Sequence, residues 1–257
     1  MLNDEPKPFF EHLEDFRTML LRCITVLLVT TGLSLLFVRQ ILEFLQHPLV
    51  IAAAKQGGDI KQFLFAFGVM DSLSIILKTA LMSGLILALP FLFYFIGLFI
   101  LPALNLKERR LLLPAFAAGG ILFLSGTAFC YFLILPQALT YMINLGNWIN
   151  VRSNWPLDQY LSFVMQFLAC VGLSFELPLV IIILAKLNIV NKPLLCRYRK
   201  HAFVLFLIFA MVITPSPDPF SMLALAGPMY VLYEISIFFT GWIDRDRQRR
   251  QEEESLS

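Results

Sequence analysis

Charge is scarce in this 257-residue chain: 15% of residues are Asp, Glu, Lys or Arg, where soluble domains carry about a quarter. The formal net charge is only +2, which gives no electrostatic footprint for nucleic acid. Cysteine is sparse too. Cys23, Cys130, Cys170 and Cys196 stand apart within or beside apolar segments, and none forms a CxxC pair. Metal and redox chemistry therefore have no support, and the four read as small buried apolar residues. The three histidines, His12, His47 and His201, are scattered over both ends of the apolar segments and build neither a metal cluster nor a triad. There is no HExxH and no P-loop, and GLSF at 172–175 lacks the second glycine of the intramembrane serine protease signature GxSG. No internal repeat is apparent, so the inverted-repeat plan of many transporters is unsupported.

What the chain has in abundance is apolar length. It is 58% hydrophobic with 25 Phe, and the apolar residues cluster in uncharged runs near the roughly 20 residues that cross a hydrocarbon core. The reading is an all-α integral membrane protein forming a single domain over 1–257 with six transmembrane helices, at about 20–38, 73–100, 112–135, 159–185, 201–214 and 221–240. A cytoplasmic amphipathic segment (1–19) precedes them, an external segment (39–72) follows the first, and a charged tail (241–257) closes the chain. Glu11, Glu14 and Asp15 precede the first run, an arrangement unlike a cleavable secretory signal.

Basic residues orient the spans. Lys7, Arg17 and Arg22, then Lys107, Arg109 and Arg110, then Lys186, Lys192, Arg197, Arg199 and Lys200, then Arg245, Arg247, Arg249 and Arg250 all fall on one side. Only Arg39, Lys55, Lys61 and Arg152 fall opposite. The positive-inside rule then puts both termini in the cytoplasm. Tyr141, Trp148 and Trp155 sit at the outer interface and Trp242 at the inner one.

Several local features stand out. Phe9, Leu13, Phe16 and Leu20 recur at helical spacing, which predicts an interfacial amphipathic helix that turns into span one. Glu11 and Asp15 share its polar face. ILEFLQHPLVIAAA suits a short surface helix broken at Pro48. Span five has only the apolar stretch 202–214, short for a bilayer, which predicts local thinning. Lys78, near the outer end of span two, can snorkel to the interface. Glu108, flanked by Lys107 and Arg109, starts span three, where the helix dipole favours a carboxylate. Glu176 lies past the midpoint of span four, two places before Pro178. A carboxylate at such depth costs on the order of 3 kcal/mol and usually faces a bundle interior or a wet cavity.

HLEDFR (12–17), PALNLKERR (102–110), SFELP (174–178), TPSPDPFS (214–221) and LYEISI (232–237) occur in this order. As a set they resemble TatC, the multi-spanning subunit of the twin-arginine protein translocase, over about residues 10–240. The resemblance implies a concave, glove-like bundle with short fifth and sixth spans, in the cytoplasmic (inner) membrane. It implies no enzymatic site and no cofactor. It further implies binding of signal peptides that carry an arginine pair, and export of folded cargo with TatA- and TatB-type single-span partners and other copies of the chain, driven by the proton-motive force. Carried over by motif, Glu108 and Asp15, with Glu14, His12, Arg17 and Phe99, would bind the signal peptide. Pro48 and Asp218 would serve structure or transport, and Glu176 would be an intramembrane polar site for a partner. Where the family has Glu, this chain has Asp15, one methylene shorter. On the residues alone, the alternative is a proton-coupled small-solute secondary transporter with Glu176 as the coupling group.

Overall fold

The computed structural model describes residues 9–54, 64–65, 68, 70–100, 106–151, 154–187, 189–213 and 219–256; the side chains of 9–12, 100, 106–117, 213, 220–221, 247–248 and 250–256 are outside that description. The described chain is helical apart from two short strands: α1 (Phe9–Leu36), α2 (Val38–Ala54), β1 (Leu64–Phe65), α3 (Asp71–Ile100), α4 (Leu106–Phe129), a π-helical turn (Cys130–Ile134), α5 (Leu135–Trp148), β2 (Trp155–Pro156), α6 (Leu157–Ser174), α7 (Leu177–Lys186), α8 (Lys192–Ile213) and α9 (Pro219–Leu256). Among the described residues, five segments are long and apolar enough to cross a bilayer: Leu13–Leu36, Asp71–Phe99, Ala118–Trp148, Leu157–Lys186 and Met222–Asp246.

The helices run further than the apolar runs that seeded them. The amphipathic segment does not turn into span one: α1 is one helix from Phe9, because the stretch up to Thr31 holds no proline or glycine to break it. Span three does not stop at 135. Pro136 lacks an N–H and its ring would crowd the preceding turn. The π-turn at Cys130–Ile134 absorbs this, and the helix continues to Trp148. Asn150, in the left-handed region at φ 57°, ends it, and Val151 N–H donates back to the Gly146 carbonyl at 2.9 Å. Span five begins at Lys192 rather than 201, since Arg and Lys are good helix formers. Only its second half is apolar, so α8 is not among the five crossing-competent helices. Span six is not short: the crossing-competent stretch Met222–Asp246 is 25 residues, and α9 carries on through the charged tail to Leu256.

Pro48 does not break α2 either. Its missing N–H leaves the Phe44 carbonyl without a helical donor, and the Tyr131 hydroxyl donates to that oxygen at 2.8 Å. Tyr160 donates to the next carbonyl, Leu45, at 2.9 Å, and the Phe44 and Tyr131 rings stack at 4.2 Å. Leu45, Pro48, Leu49, Ala52 and Ala53 are buried. One face of α2 therefore packs as part of the core, and its other face stays exposed.

The core centres on α6. Tyr160, Leu161, Phe163, Val164, Met165, Phe167, Leu168 and Val171 are all buried, against Leu135, Leu139 and Ile143 of α5. Glycines bring α4 against α6: a Cβ at Gly172 would lie 2.6 Å from the Phe123 ring, and one at Gly126 would lie 2.5 Å from that of Phe175. Between α6 and α7 the chain tightens. Phe175 N–H is shared between the Val171 and Gly172 carbonyls, and Glu176 N–H donates to Leu173 at 3.1 Å, just ahead of Pro178 at the second position of α7. At the end of the bundle away from Asp15 and Phe99, β1 and β2 pair in parallel, Leu64 with Trp155 and Phe65 with Pro156. Trp155 is thus half-buried in a strand, whereas Trp148 and Trp242 are exposed as interface residues would be. Lys78 is held by Asp158, its Nζ 3.0 Å from Oδ2.

Candidate functional site

α1 packs almost only on α3, and the pairing is antiparallel. Thr31 meets Gly84 at one end, and Phe16 meets Phe99 at the other with ring centroids 5.6 Å apart. A Cβ at Gly84 would lie 2.6 Å from the Thr31 Cα, so the two backbones touch and α1 is held close along its length. Where the helices reach the end rich in basic residues, they leave a crevice of ≈150 Å³ lined by Asp15, Thr18, Met19 and Arg22 of α1 and by Phe95, Leu98 and Phe99 of α3.

Both walls follow from helical periodicity. Asp15, Thr18, Met19 and Arg22 fall at i, i+3, i+4 and i+7 on one face, and Phe95 and Phe99 at i and i+4 on the other helix. Asp15 is half-buried, while Glu14 and Arg17 are exposed. The result is a carboxylate beside an aromatic wall, with Arg22 lining the same crevice. Chemically it suits a guanidinium, which a carboxylate can hold in a fork, followed by an apolar segment laid on the Phe rings.

Of the sequence-predicted residues, the structure brings Asp15 and Phe99 together. Thr18, Met19, Arg22 and Phe95 were missed, although the period of Asp15 and Phe99 along their own helices points to each of them. Glu108 lies in the first turn of α4, which starts six residues after α3 ends at Ile100. Its backbone is therefore at the same end of the bundle as the crevice, but its side chain lies outside the description. The same holds for the side chain of His12, in the first turns of α1. Asp218 lies outside the described residues altogether.

Glu176 lies inside the bundle, as a carboxylate at that depth does. It is 6% exposed, wedged where a Cβ on Gly119 would lie 3.0 Å from its Oε2. Its Oε1 has no hydrogen-bond partner among the described residues. Gly119 is three helical turns along α4 from Glu108, which puts Glu176 roughly 16 Å deeper than the start of that helix. A second polar group was also missed. Arg199 of α8 pairs with Glu234 of α9 at 2.9 Å, and the Tyr230 hydroxyl donates to Glu234 at 3.0 Å. Glu234 belongs to LYEISI, so the motif had marked the position but not its partner on the neighbouring helix.

Residues 11–228 match the family of Sec-independent protein translocase proteins, TatC. A TatC of Akkermansia muciniphila is 36% identical over 84% of this chain, which spans 62% of that relative's length. One from Carboxydothermus hydrogenoformans is 33% identical over 94% of this chain and 96% of its own. That of Escherichia coli K12 is 33% identical over 96% and 94%. A crystal structure described as the twin arginine translocase receptor TatC superposes with a TM-score of 0.77 at 30% identity, covering 88% of this chain and 96% of the other.

Proposed function

Since this chain belongs to the TatC family of Sec-independent protein translocases, a multi-pass membrane family of protein transport, we propose that it is the receptor core of a twin-arginine translocase. It binds signal peptides bearing an arginine pair at its cytoplasmic end. With TatA- and TatB-type single-span partners and further copies of itself, it exports folded proteins at the expense of the proton-motive force. In this reading α8 is the fifth of six spans, shortened by its basic first half, both termini are cytoplasmic, and the assembled bundle is concave.

The observation that carries the proposal is the meeting of Asp15 with Phe99 at the end of α3 that leads into Glu108. Two carboxylates from different helices suit two adjacent guanidiniums, and Arg pairs with carboxylate in a planar fork that Lys cannot copy. Phe99 then takes the start of the signal's apolar segment. His12, Glu14 and Arg17 of α1 join in binding the signal, and Asp218 serves structure or transport in the turn between spans five and six. Pro48 serves indirectly, by fixing the outer helix α2. Glu176, deep and with an open acceptor, meets a polar side chain of a partner helix rather than the signal.

The test is binding of a labelled twin-arginine peptide and its twin-lysine counterpart to the purified chain in nanodiscs. Wild type prefers the arginine peptide. Glu108→Gln and Asp15→Asn each weaken it by about tenfold or more, the loss expected for one charge-assisted pair. Unchanged binding in both variants removes these carboxylates from recognition. Restored export of a folded twin-arginine reporter in a strain without its own TatC checks the whole function.

A further inference from the structure

At the other edge of the basic end, where α9 leaves its apolar run, α8 and α9 enclose a second cavity of ≈410 Å³ lined by Lys192, Phe238, Phe239, Gly241, Trp242 and Arg245. It is distinct from the crevice between α1 and α3 and shares no residue with it. Its walls are of two kinds. Phe238 and Trp242 are among the most exposed large rings of the chain, at 75% and 72%, and they point away from the core. Lys192 and Arg245 supply two cations at the level where the apolar stretch ends.

The lysine is placed, not merely near. A Cβ at Gly241 would lie 2.8 Å from Lys192 Cδ and 3.4 Å from its Nζ, so the aliphatic stem lies across α9 in a groove that only glycine leaves open. The carboxylates around it are otherwise engaged: Asp244 Oδ2 accepts from the Lys192 backbone N–H at 2.9 Å, capping α8, and Asp246 has an interaction of its own. Neither cation has an ion-pair partner among the described residues.

We infer that this cavity is a binding site for an anionic phospholipid, its phosphate between Lys192 and Arg245 and an acyl chain along Phe238 and Trp242. The occupant is argued from charge and from depth. Two cations call for an anion, and two large exposed rings below them call for hydrocarbon. One amphiphile with an anionic head and apolar tails satisfies both, at the headgroup level where Trp and Lys or Arg side chains settle. An acidic peptide would meet the cations and leave the rings unmatched.

The test is native mass spectrometry of the full chain, purified with an equimolar mixture of phosphatidylglycerol and phosphatidylcholine. Wild type retains phosphatidylglycerol preferentially. Each cation removed lowers that preference about fivefold, so the Lys192→Gln/Arg245→Gln double variant loses nearly all of it. Arg39→Gln, an exposed cation at the opposite end paired with Glu43, leaves it unchanged. Trp242→Ser lowers retention of both lipids. Equal retention of the two lipids by wild type overturns the inference, as does an unchanged preference in the double variant. If millimolar inorganic phosphate displaces the lipid, the site is a plain anion site and the phospholipid assignment fails. If the double variant does not assemble, Lys192→Gln alone decides, with no loss of preference counting against the site.

Discussion

The hydroxyl of Tyr131 donates, at 2.8 Å, to the one carbonyl that Pro48 leaves without a helical donor, that of Phe44. The proline and the tyrosine lie on different helices, and the second repairs what the first removes. Tyr131→Phe is expected to cost about 1 kcal/mol, a net hydrogen bond. With Pro48→Ala present, the Ala N–H can serve Phe44 itself, and the same Tyr131→Phe change should cost little. Thermal unfolding of the four proteins in detergent measures the coupling, and additive losses would break the link between the two residues.

Gly84 sets how closely α1 approaches α3. A Cβ there would lie 2.6 Å from the Thr31 Cα, a backbone atom that no rotamer change can move. Gly84→Ala should therefore destabilise by about 1–3 kcal/mol and weaken peptide binding at the crevice several turns away. Gly32 and Gly227 have open space where a Cβ would go, and alanine at either should be neutral or slightly stabilising, as helix propensity favours it. Comparing unfolding midpoints of the three variants checks the contrast.

Lys78 and Asp158 form the bond that joins the outer ends of α3 and α6, but each side chain is 37% exposed. Asp158→Asn should cost less than about 1 kcal/mol, and less still at high salt. A loss that persists at 1 M salt would mean the pair is shielded.

Glu176 is buried against Gly119 with one oxygen unpartnered. Glu176→Ala should leave twin-arginine peptide binding within about twofold and reduce reporter export or recovery of TatA- or TatB-type partners by about tenfold, since a partner hydrogen bond to a buried carboxyl is worth more than one in water. Full export by a stably produced Glu176→Ala protein would falsify the partner role.

Spans two and four were legible because long uncharged runs leave no alternative to a membrane helix, and α3 and α6–α7 match them within a few residues. Three prolines show where that reading stops. Pro178 marks a real break, where the chain turns between α6 and α7. Pro48 and Pro136 do not, because a distant tyrosine and a π-turn provide what the local sequence withholds. The crevice between α1 and α3 was half legible: motif carried Asp15 and Phe99, and helical period would have added Met19, Arg22 and Phe95. The pairs Lys78–Asp158 and Arg199–Glu234 were not legible. Each joins residues on different helices, and charge pattern along one helix says nothing of its neighbour.

The two-residue parallel ladder at Leu64 and Trp155 bears on how the chain comes to be built. Its partners are separated by the whole of α3, α4 and α5, so it cannot form until all three have left the ribosome and entered the bilayer. The two hydroxyls that serve the α2 carbonyls also come late, Tyr131 only after α4 and Tyr160 only after β2. A long loop closed late is slow to close. The outer end is therefore the last part of the first two-thirds to become native, and truncations before β2 should yield inserted helices whose outer loops remain open to protease.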